Sequence, residues 1–170
     1  ASVGPGLLTF TPANALTPQT VTITGLDDTL DDGDVLLTIL TAPANSADPA
    51  YQGQNPTDVT VTTRDDDTAG VPVTPTSGLT TTEAGTTASF TVVLDSQPTG
   101  NVTVPLSGND VTEGFLGTTS LTFTPANALT PQTVTVTGVD DGITDGAVTF
   151  SIVPGLTTSS AASYNGLDPD

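Results

Sequence analysis

The sequence predicts an all-β chain made of tandem antiparallel Greek-key β-sandwiches. Three observations predict it. Short runs alternate Val, Ile, Leu or Phe with Thr, Pro or Gly breaks nearly every run, and one long internal repeat is too large for a solenoid unit.

The alternating runs come in order at residues 8–11, 20–24, 35–40 and 59–63, then at 79–82, 88–94, 101–106, 121–124, 133–137 and 147–153. In Thr133-Val134-Thr135-Val136-Thr137 the valines share one face and the threonines the other, because strand side chains alternate with period two. Pro12, Pro18, Pro98, Gly100, Pro125 and Pro131 punctuate these runs. No stretch of about ten residues both lacks helix breakers and carries a 3.6-residue apolar period, so helices are excluded. Phe90, Val92, Phe123, Val134, Val136 and Phe150 are the expected core.

Residues 8–25, LTFTPANALTPQTVTITG, recur as residues 121–138, LTFTPANALTPQTVTVTG, and differ only at Ile23 against Val136. The offset of 113 continues without a gap. It pairs Asp27-Asp28 with Asp140-Asp141, Asp32-Gly33 with Asp145-Gly146, Tyr51 with Tyr164 and Pro56 with Pro169. Solenoid repeats run about 20 to 45 residues, so this period suits whole sandwich domains of about seven strands. The boundary falls after Arg64-Asp65-Asp66-Asp67-Thr68-Ala69-Gly70. Residues 1–70 then form the C-terminal part of one repeat. Residues 71–170 form the next repeat without its last strand, which would resemble residues 58–67, DVTVTTRDDD. This phase implies a window on a longer array, or separate copies that complete one another by donating strands head to tail. Tyr51 and Tyr164, each shortly before a Gly, read as corner tyrosines that pin a loop through the hydroxyl.

Composition narrows function. The net charge is −18, with Arg64 the sole basic side chain and no His, Cys, Met or Trp. Nucleic acid needs a basic footprint, so it is excluded as a partner. Docking on anionic lipid is disfavoured for the same reason, and no apolar run is long enough for a membrane helix. Without Cys there is no disulfide frame or thiolate site. Without Lys there is no Lys–Asn or Lys–Asp isopeptide staple. A Ser or Thr nucleophile would lack a His or Lys base. Glu83 and Glu113 sit in polar turn contexts rather than flanking a sugar groove. The sequence therefore reads as non-enzymatic.

Several segments, taken together in circular order, resemble a Calx-β domain, an immunoglobulin-like sandwich. They are Glu83-Ala84-Gly85, Ser89-Phe90-Thr91-Val92-Val93-Leu94, Leu121-Thr122-Phe123-Thr124-Pro125, Gln132-Thr133-Val134-Thr135-Val136, Asp140-Asp141 and the closing Asp65-Asp66-Asp67. The likeness is to tandem Calx-β-like repeats of large bacterial extracellular surface proteins and adhesins. It implies that Glu83, the loop holding Asp140, Asp141 and Asp145, and a terminal Asp triplet gather at one end of the sandwich to bind Ca²⁺. By position the implied ligands are Asp27, Asp28, Asp32, Asp65, Asp66 and Asp67 in the first repeat, and Glu83, Asp140, Asp141 and Asp145 in the second. The Asp145-Gly146-Ala147 step lacks the Glu that often follows in that family. Ca²⁺ takes hard oxygens from short acidic loops. The alternative is that these acids are solvated turn formers, since Asp tolerates turn geometry.

The resulting expectation is a structural repeat of an extracellular surface fibre or adhesin stalk, stiffened by calcium at domain ends. Its partners would be neighbouring repeats or other copies in a filament. The competing reading is an adhesive module that binds a cell-surface or carbohydrate partner directly. Aromatic residues at 4% argue against a sugar platform.

Overall fold

The computed structural model describes residues 1–108, 110–144 and 146–170. Among them, regular structure is β apart from one 3-10 turn, Ala162–Tyr164, and the strand ladders are antiparallel. Two compact units emerge. The first comprises Ala1–Asp28 and Gly33–Asp65, and the second Thr29–Asp32 and Asp66–Asp170.

The second unit is a β-sandwich. One sheet has the order β5 (Val73–Thr74), β6 (Thr87–Val92), β10 (Gln132–Gly138), β8 (Gly114–Leu116). In the other, β7 (Val102–Ser107) pairs with β9 (Ser120–Phe123), β11 (Val153–Pro154) and β12 (Thr158–Ser159). Alternation places the core. Phe90 and Val92 of β6, Val134 and Val136 of β10, Val102, Val104 and Leu106 of β7, and Leu121 and Phe123 of β9 point inward into one buried cluster. The intervening residues of β10, Thr133 and Thr135, are exposed. Five of the six expected core residues are buried, and Phe150 is half-buried against the same cluster. Each such side chain contributes about 1.5–3 kcal/mol relative to leaving it in water.

The first unit holds two ladders, β1 (Ser2–Gly4) with β2 (Thr22–Thr24) and β3 (Val35–Ile39) with β4 (Val59–Thr63). No residue of 1–70 is buried. Its chemistry nevertheless copies the second unit. The pairs Ser2↔Thr24 and Val3↔Ile23 reproduce Phe115↔Thr137 and Leu116↔Val136 at the 113-residue offset. Gln19 Nε2 donates to the Thr9 carbonyl at 2.9 Å, as Gln132 Nε2 does to Thr122 at 2.8 Å. The Thr11 N–H donates to Asn14 Oδ1 and the Thr124 N–H to Asn127 Oδ1, both at 2.6 Å.

What differs is burial. Phe10 is 55% exposed and Phe123 0%; Tyr51 is 63% exposed and Tyr164 0%. Nearly identical segments thus take opposite environments. The cause is composition of the chain: residues 71–113, which supply β5, β6 and β7, occur once, and the second copy uses them.

Two strands that were expected lack a partner and are not formed. Residues 8–11 are not a strand, whereas their counterparts in β9 pair with β7. Residues 147–152 carry no ladder, whereas their counterparts in β3 pair with β4. A strand requires a partner for its backbone groups. Residues 79–82 are also outside any strand. The compact units divide at Asp65 and Asp66, ahead of the Gly70 boundary read from the sequence. Residues 66–70 are tied to the second unit: Ala69 packs on its core, and the Asp95 N–H donates to the Gly70 carbonyl at 3.1 Å.

Candidate functional site

The acidic residues follow strand ends, where turns need side-chain acceptors. In the first unit the Gly33 N–H donates to Asp65 Oδ2 at 2.6 Å, and the Asp65 N–H to Asp34 Oδ1 at 3.1 Å. These bonds close the β3–β4 hairpin at its base. Gly33 has φ of 82°, a left-handed conformation that glycine adopts without strain. In the second unit the Ala69 N–H donates to Asp31 Oδ2 at 2.8 Å. The Ile143 N–H donates to Asp141 Oδ1 at 2.8 Å, a local turn bond. Part of the acidic complement therefore accepts bonds from backbone N–H groups, locally only at Asp141.

One cluster goes further. Asp27, Asp66 and Asp67 each offer a carboxylate oxygen, and these atoms lie within 4.8 Å of one another. Asp27 and Asp66 are exposed and Asp67 is half-buried. Two unit charges about 4 Å apart repel by about 1 kcal/mol even in water, so a cation among them is favoured. The donors are hard oxygens, which suit Ca²⁺ or Mg²⁺ rather than a thiophilic metal. Three carboxylates fall short of the about six to eight oxygens Ca²⁺ takes, unless some bind through both oxygens and water fills the rest.

Of the residues expected as ligands, this group unites Asp27, Asp66 and Asp67. Asp28, Asp32, Asp65, Glu83, Asp140 and Asp141 join no group of three or more acids among the described residues. Asp145 lies outside the described residues.

Asp110 has a separate role. Its Oδ1 accepts from Thr112 Oγ1 at 2.6 Å and from the Thr112 N–H at 3.1 Å. The bond from the Thr112 hydroxyl, then that from its N–H, hold the carboxyl below its ordinary value. This caps the turn that leads into β8.

The corner tyrosine is present in the second unit. Tyr164 donates its hydroxyl hydrogen to the Ser96 carbonyl at 2.8 Å, and its oxygen accepts from the Ser96 N–H at 2.9 Å. The sequence signals Tyr164 but not its partner: Ser96 is 68 residues away and carries no motif.

No helix among the described residues is long and apolar enough to cross a membrane. No family model, curated protein or solved structure matches the chain.

Proposed function

We propose that the chain is a structural repeat of an extracellular surface fibre or adhesin stalk, of Calx-β type, with calcium as the ion held by Asp27, Asp66 and Asp67. The observation that carries this reading is the agreement between the two copies. Their ladder register and side-chain bonds coincide at a fixed offset although their burial does not. What the repeat preserves is thus a backbone scaffold, the requirement of a spacer. The charge of −18 supports it too, since like charge keeps long filaments apart in solution. The sequence offers no His or Lys to activate a hydroxyl, which supports a non-catalytic role.

The test is to produce one, two and four complete 113-residue repeats and measure their maximum dimension by small-angle X-ray scattering in calcium. A spacer gives a length that rises linearly with repeat number and no saturable binding to cells or glycans. Saturable binding by a single repeat would instead establish the adhesive-module reading.

A further inference from the structure

The connection between β3 and β4 of the first unit contains a turn closed by its own backbone. The Ala44 N–H donates to the Gln54 carbonyl and the Gly53 N–H to the Ala44 carbonyl, both at 2.8 Å. At the head of the turn stands Asp48-Pro49, exposed to water. The Asp48 carbonyl accepts two N–H groups, from Tyr51 and Gln52, each at 3.0 Å. Asp48 Oδ1 accepts the Ala50 N–H at 2.9 Å. That bond closes a ring containing the Asp48 carbonyl carbon, so the carboxylate stays beside that carbon. Asp48 thereby caps a single turn, with Pro49 in its first position. The turn itself does not require this pair. At the repeat offset Ala161-Ala162 replaces Asp48-Pro49, and the Tyr164 N–H still donates to the Ala161 carbonyl without a side-chain cap. The bond from the Ser46 N–H to Gln52 Oε1 likewise recurs from the Ser159 N–H to Asn165 Oδ1.

We propose that Asp48–Pro49 is a self-cleaving peptide bond, cut in acid by the Asp48 carboxylate. A carboxylate oxygen attacks the Asp48 carbonyl carbon, and the carbonyl π pair moves onto the carbonyl oxygen. The N–H groups of Tyr51 and Gln52 already point at that oxygen, where they stabilise the developing oxyanion. As the tetrahedral centre collapses, the Pro49 nitrogen takes a proton from the acid medium. It leaves with the electrons of the C–N bond as a secondary amine. Asp48 is left as a cyclic anhydride. Water, which reaches this exposed turn, opens the anhydride to two carboxylic acids. The sum is hydrolysis of one peptide bond.

Three features favour this bond. A nucleophile in the same residue reacts as an intramolecular group, without the entropic cost of an encounter. The Pro49 nitrogen carries no N–H, so its departure breaks no hydrogen bond that it donates. The paired donors are in place before the reaction rather than recruited from solvent. The chain also holds an internal comparison. Asp168-Pro169 is the sole other Asp–Pro step. The Asp168 carbonyl accepts no backbone N–H among the described residues. The two bonds therefore share their covalent chemistry and differ in the donors around the reacting carbonyl. The inference does not depend on the fibre reading, because it concerns one bond of this chain.

The chain is incubated in buffer acid enough to cut Asp–Pro bonds yet short of its unfolding transition, as circular dichroism defines it. Intact mass spectrometry times the fragments. Scission at Asp48–Pro49, which yields fragments 1–48 and 49–170, should run roughly tenfold faster than scission at Asp168–Pro169. In urea at the same pH the two rates should converge, because the turn and its donors are lost. Asp48→Ala, the residue that the second copy uses, should abolish the first cut and leave the second unchanged. Equal rates in the folded chain, a faster cut at Asp168–Pro169, or a difference that persists in urea overturns the proposal. Scission before Pro49 in the Asp48→Ala variant overturns the carboxylate as nucleophile.

Discussion

The Tyr164 hydroxyl binds the backbone of Ser96 on both sides, accepting from its N–H at 2.9 Å and donating to its carbonyl at 2.8 Å. It also lies 2.8 Å from Ser96 Oγ, and both residues are fully buried. A single phenol thus satisfies every polar group of a buried serine.

Removing that hydroxyl leaves those groups without a partner away from water. Tyr164→Phe should therefore destabilise the second unit by about 1–3 kcal/mol. Tyr51→Phe, at the equivalent but exposed position, should change stability by less than about 0.5 kcal/mol. Urea unfolding of the two variants, compared at equal denaturant slope, checks the pair.

The two copies offer the same contrast with a larger side chain. Phe123→Ala empties a fully buried site and should cost about 3–5 kcal/mol. Phe10→Ala removes a half-exposed ring and should cost within about 0.5 kcal/mol. If Phe10→Ala proves as costly as Phe123→Ala in thermal unfolding, the first copy has found a core of its own.

The cation reading makes a prediction with a change of sign. A ligand bound only by the folded chain stabilises it by about 2.7 kcal/mol at a hundredfold excess over its dissociation constant. Calcium should therefore raise the melting temperature above that in chelator, and Mg²⁺, with its stricter geometry, should raise it less. Asp66→Asn should stabilise the chain in chelator, by relieving repulsion with Asp27 and Asp67, and destabilise it in calcium. Scanning calorimetry with and without calcium measures both signs. If D66N shifts the melting temperature in the same direction in both, the three acids hold no ion.

Asp110 gives a pH signature. Its folded pKa lies below the ordinary carboxylate value, chiefly through the Thr112 hydroxyl and N–H. A group depressed in the folded state contributes stability that is complete above its unfolded pKa, about 3.9, and is lost as pH falls through the folded value. Below about pH 4 the wild type should therefore lose stability faster than Asp110→Asn. Denaturant midpoints of both proteins between neutral pH and pH 2 compare the slopes.

Much of the fold was legible because it depends on local alternation. The valines of 133–137 and the Phe90–Val92 step state their inward face without reference to any other residue, and both lie in the core. The acidic loops were legible as a class, and the Asp65-Asp66-Asp67 run supplied two members of the one acidic group among the described residues. What pattern could not reveal is partnership. Residues 8–11 and 121–124 share the sequence LTFT, yet only the second set joins a ladder, because β7 lies beside it. Residues 147–152 alternate as clearly as β3 but join no ladder. Asp140 and Asp141 repeat Asp27 and Asp28, yet of these four only Asp27 joins an acidic group among the described residues. Alternation specifies which face a strand would bury; a neighbour decides whether there is a strand.

The repeated segment also bears on how the chain reaches this state. β10 takes its place beside β6, but 20–24 carries the same residues except Ile for Val at one position. That difference is worth about 0.5–1.5 kcal/mol. The two segments lie roughly 70 and 45 residues from Phe90, a gap in loop-closure cost of less than about 0.6 kcal/mol. An early folding encounter therefore discriminates poorly between the authentic strand and its twin. The wrong choice would leave β8 without its ladder partner, so discrimination comes late, from the remainder of the sandwich. Refolding of this chain should accordingly show a slow error-correcting phase, and replacing the twin at Val21 and Ile23 with Thr should abolish it while sparing the native core.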